Sequence, residues 1–132
     1  MTRPAKSPGI DAIQTAIYKA LVAAAVTVYD QVGENTAFPY TTIGESSVVD
    51  AGTKTDHADD CYETLHVWSR ANGFKECKTI IKSVIAALSG YNYAESGYQI
   101  AFVDVDSINL FRDPDGLTRH GVVRVKFKVF QE

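Results

Sequence analysis

Asp113-Pro114-Asp115-Gly116 carries the first carboxylates of a calcium-loop pattern. Such a loop closes with a bidentate glutamate at its twelfth position. Counted from Asp113, that position is Arg124, a cation, so calcium is excluded and the run reads as a tight turn. His57, Asp60, Cys61 and His66 have the donor atoms for zinc, but their spacing fits no finger or ribbon. His66 lies in an alternating segment and reads as a packed or interface histidine. Ser46 and Ser47 follow Gly44 without a G-x-S-x-G elbow, and no base is placed to activate them. Cys61 and Cys77 fall on apolar faces, where thiols are inert. A bridge between the two is open, but two free thiols from a reducing compartment fit better. There is no P-loop and no G-x-G-x-x-G. The expectation is a protein without catalytic residues, metal or cofactor.

The elements that position these residues can be read from periodicity. The chain has 132 residues, 45% hydrophobic, and a formal net charge of −3. That length suits one domain over 10–132, preceded by an arm at 1–9 that is loose or orders on assembly. A mildly acidic balance lacks the basic footprint of a general DNA binder. No apolar run is long enough for a membrane span, and the basic N-terminus leads into a helix, not an export signal. Ile10, Ile13, Ile17, Ala20, Leu21 and Ala24 predict an amphipathic helix, with Ser7-Pro8 as its cap. It ends where Val26 to Tyr29 turns β-branched and aromatic. A strand is predicted from Tyr40 to Val49, then a mobile loop from Asp50 to Asp60. A second strand follows from Cys61 to Arg70, with Cys61, Glu63, Leu65 and Val67 on one face. Phe74 to Leu88 reads as a second helix, ended by Gly90. The last strands run from Tyr98 to Asp106 and from Thr118 to Gln131. This order predicts an α+β fold: a mainly antiparallel sheet of about four to five strands, with two amphipathic helices on one face.

Several segments, in this order, resemble the tail terminator, or tail completion, proteins of long-tailed phages and gene transfer agents. They are Ala12 to Leu21, Val28 to Val32, Phe38 to Gly44, His66 to Arg70, Gly73, Cys77 to Leu88 and Arg112 to Gly121. The resemblance covers about Ile10 to Phe130. Gly33 stands where relatives often have proline, and the 50–60 loop is acidic. The resemblance implies a structural particle protein, a homohexameric ring that stops growth of the tail tube and docks on the head–tail connector or stopper. It implies a place at the head-proximal end of the tail, assembly in the bacterial cytoplasm, and DNA that passes through without specific binding. It implies no membrane partner. A head-completion or connector ring and a tail-tube subunit are the alternatives within a particle. On fold alone, a small soluble binding domain is another.

A ring needs two different patches that meet head to tail. The face opposite the expected core offers Tyr62, His66 and Trp68, with Arg124, Lys126, Lys128 and Phe130 on the last strand. Aromatic and arginine content favours a subunit or partner interface, or a ring lining. The loops 50–60 and 106–116 are the second candidates, for docking or for a negative lumen. Their aspartates, with one just before, are Asp56, Asp59, Asp60, Asp104, Asp106, Asp113 and Asp115.

Overall fold

A computed structural model describes residues 5–90 and 93–132. The first helix, α1, spans Ile10–Ala23 and buries Ala12, Ile13, Ala16, Ile17, Ala20 and Leu21. Ile10, expected on that face, is exposed because it begins the helix before the stripe meets the sheet. Ser7 does not cap the helix; Gly9 is the N-cap, without a side-chain bond. The Ser7 carbonyl instead accepts the Tyr98 hydroxyl at 2.8 Å, and the Ser7 N–H donates to Gln131. Lys6 bridges Asp59 at 2.6 Å and Asp50 at 3.1 Å. The described part of the expected arm is thus tied down; its first four residues lie outside the described residues.

Among the described residues six strands form one sheet: β1 (Val28–Tyr29), β2 (Tyr40–Asp50), β3 (Ala58–Ser69), β4 (Tyr93–Glu95), β5 (Tyr98–Arg112) and β6 (Arg119–Gln131). Their order is β1-β2-β3-β6-β5-β4. The β1–β2 pair is parallel and the other four described pairs are antiparallel. The α+β class and the antiparallel bias hold, with more strands than expected. The added β1 and β4 are short strips at the two margins. Ser96 and Gly97 both have positive φ, and Glu95 pairs with Tyr98, so they make the two-residue turn joining β4 to β5.

The long α2 (Lys75–Ser89) lies on β3, β5 and β6, while α1 touches α2, β1 and β4. Leu65, Val67, Val123, Val125 and Phe127 face the helices and are fully buried. Both thiols are free and buried, and burial pushes Cys61 up to about 12. Gly121 lets α2 approach: a Cβ there would lie 2.7 Å from Ile81 Cδ1 and 2.9 Å from Cys77 Sγ. Gly90 does cap α2, but at φ −90°, not in the left-handed form.

Two expected loops are corrected. β3 begins at Ala58, so Asp59 and Asp60 belong to a strand. β5 continues to Arg112, so the loop expected from Asp106 shrinks to the turn between Arg112 and Arg119. Bulges at Phe102/Asp104 and Val105/Ser107 are the reason. Each adds one residue, so the helix-side set runs Ile100, Phe102, then Val105, then Ile108, Leu110. That broken alternation hides the strand from period-two reading.

Candidate subunit interface

The sheet face turned away from the helices carries every residue proposed from the sequence as an interface. Alternation puts Tyr62, His66 and Trp68 there from β3, with Arg124, Lys126 and Lys128 from β6. All six are half-buried, and Phe130 is exposed at the end of the row.

The structure divides them into two clusters. In the first, the Arg124 guanidinium lies 4.7 Å and Lys126 Nζ 5.8 Å from the Tyr62 ring. Arg124 also meets Asp106 at 3.4 Å, and Lys126 meets Asp60 at 3.8 Å. These cations are therefore partly neutralised within the chain. Lys128 sits with Phe130, 5.7 Å from its ring centre.

In the second cluster, Trp68 stacks on His120 with centroids 3.7 Å apart and planes 19° apart. Its indole N–H donates to Thr42 Oγ1 at 3.3 Å. Tyr40, Phe38 and Phe111 extend the aromatic surface, and Arg70 covers the Phe38 ring at 4.3 Å. Through it runs a polar line. Glu45 Oε1 lies 2.8 Å from His66 Nε2, His66 Nδ1 lies 2.7 Å from His120 Nε2, and His120 Nδ1 lies 3.3 Å from Asp113. The two outer nitrogens face carboxylates, and the inner contact joins the two rings, its donor set by their tautomers. Burial pushes the His120 imidazole below its ordinary range, against the pull of Asp113. The hydrogen bond from His66 holds Glu45 below the usual carboxylate range. Gly44 makes room for this line: a Cβ there would be 2.7 Å from the His66 ring.

The aspartates proposed for docking part company. Asp56 is exposed in the loop that remains between β2 and β3. Asp59 is buried against Lys6, and Asp60 and Asp106 pair with strand cations, so these three do not stand on loops. Asp104 also lies in β5. Asp113 turns to His120. Asp115 accepts the Leu117 and Thr118 N–H groups and the Thr118 hydroxyl, which lowers it to about 2. Asp113 to Gly116 forms the expected turn, with Gly116 at φ 74°.

His120, Glu45 and Phe111 were missed. His120 could have been found: it shares parity with Arg124 on the last strand. Glu45 and Phe111 lie beside or beyond bulges that scramble parity.

On this geometry the comparisons with known proteins can be placed. A solved structure titled "Virion of native gene transfer agent (GTA) particle" contains a chain that superposes with a TM-score of 0.79 at 24% identity, covering 95% of this chain and 99% of that one. The structure of bacteriophage SPP1 gp17 gives 0.61 at 24% identity, covering 89% and 88%. At these identities the likeness shows the fold. In sequence, the tail completion protein gp17 of Bacillus phage SPP1 is 25% identical over 112 residues, 85% of this chain and 83% of that protein. The family model for tail completion protein gp17 matches residues 11–129, and the chain belongs to that family.

Proposed function

We propose that this protein is a structural component of a phage-like particle. Copies of it close into a ring, six by the family resemblance, at the head-proximal end of the tail. The ring ends growth of the tail tube and joins it to the head connector. The match to tail completion proteins over residues 11–129 carries this reading. The geometry supports it: both helices cover one sheet face, and the other presents half-buried aromatic rings and an arginine. Surfaces of that composition are covered by partners. Cations paired with Asp60 and Asp106 leave this face little net positive charge, which suits DNA passing without adhering.

Particles assembled without this chain test the proposal by electron microscopy. Overlong tails lacking heads are expected. Tails of normal length on leaking heads would refute termination and point to a connector role.

A further inference from the structure

The sheet has two open edges. β1 covers β2 only at Thr41 and Thr42, and β4 covers β5 only from Tyr98 to Ile100. Among the described residues, no strand pairs with the outer side of β2 from Ile43 to Val49 or of β5 from Ala101 to Leu110. Such rows of unpaired N–H and C=O groups are templates for another strand.

Resting on the ring reading, we propose that the ring is closed by strand pairing between copies: Ser46–Val49 of one copy adds to Ser107–Leu110 of the next. Three observations select a second copy as the occupant. The first is direction. Three antiparallel steps separate β2 from β5, so the two run opposite ways. Rotation about a ring axis preserves axial direction, so these edges meet antiparallel in a head-to-tail contact.

The second is side-chain match. Both stretches are regular and lie just past a bulge. Val48 and Ile108 are each on the helix side, 40% and 44% exposed, at the margins the helices do not reach. Placed opposite each other, they extend the apolar face from one copy to the next. The same register sets Ser47 opposite Asn109 on the other face. This register brings Asp50 level with Asp106 just past the paired stretch, but Lys6 and Arg124 of their own chains already pair with them, and Glu45 meets His66.

The third is stagger. Val48 stands level with Phe127 of β6, through Cys61, and Ile108 with Val123. That is about 14 Å along the strands, at about 3.4 Å per residue. Four strands span about 19 Å across. The resulting slope of about 36° lies within the tilt of about 35–45° at which sheets close on themselves.

The test uses particles whose only copy of the chain is Val48→Cys/Ile108→Cys, treated with a short bismaleimide and run on a denaturing gel. A ladder of cross-linked oligomers is expected, with monomers alone from either single variant. Ser47→Cys/Asn109→Cys repeats the test on the opposite face should the first pair disturb folding. No ladder from either pair, with the chain present in the particle, overturns the strand pairing and leaves the ring reading standing. Dimers from a single variant show like edges meeting and also overturn it. Absence of the wild-type chain from the particle overturns the ring reading and this inference together.

Discussion

Replacing Trp68 with alanine tests whether its face serves contact with partners or belongs to the core. Trp68 is half-buried on the helix-free face, and its partners are countable: one close stack on His120, looser contacts to His66 and Tyr40, and one hydrogen bond to Thr42. A stacked pair contributes about 0.5–1.5 kcal/mol and a hydrogen bond about 1 kcal/mol. With the partial burial of the ring still to be added, Trp68→Ala should therefore destabilise the isolated chain by at least about 2 kcal/mol. Phe127→Ala, at a position with 0% exposure, should cost about 3–5 kcal/mol. Domains of ordinary stability, about 5–15 kcal/mol, survive the first change. The assay is urea unfolding followed by circular dichroism, since Trp68 is the sole tryptophan and its fluorescence is lost with it. At a slope of about 2 kcal/mol per molar, the midpoint should fall by at least about 1 M. The folded variant should then be missing from purified particles. A loss equal to that of Phe127→Ala would place Trp68 in the core, and normal incorporation would remove this face from the interface.

Three further outcomes follow from buried groups. Burial raises the Glu63 carboxyl, against the Ser46 hydroxyl that donates to it. The native state then binds more protons than the unfolded chain, so stability falls as pH rises from about 4.5 through the raised native value. Glu63→Gln should be more stable than wild type at pH 8, with the gap closing near pH 4, as measured by urea midpoints. His120 is shifted the other way and faces Asp113, Glu45 and His66. The unfolded chain takes its proton first, so stability falls as pH drops through about 6.5. His120→Asn should flatten that part of the profile; an unchanged slope would refute the assignment. Gly121→Ala pushes a methyl into Ile81 and Cys77 and should cost about 1–3 kcal/mol, read from the same melts.

What the sequence disclosed follows from periodicity. The helix stripes and the alternation of Leu65, Val67, Val123, Val125 and Phe127 identified the core, and with it the opposite face of Tyr62, Trp68 and Arg124. The alternation stayed readable there because β3 and β6 pair without a bulge. It failed in β2 and β5, where inserted residues switch parity, and so the length of β5 and the place of Glu45 were hidden. Asp59 read as a loop carboxylate because its partner, Lys6, is remote in sequence and reaches it only across the folded sheet. The division of the helix-free face into a basic and a histidine–aromatic cluster depends on cross-strand register, such as Trp68 opposite His120, which single-strand patterns do not specify.

The most direct measurement is the stoichiometry and axial position of this chain in an intact particle, by electron cryomicroscopy with averaging about the tail axis. One closed ring of copies between the tube and the head connector is the expected result. Copies repeated along the tube, or no copy at the tail's upper end, would contradict it.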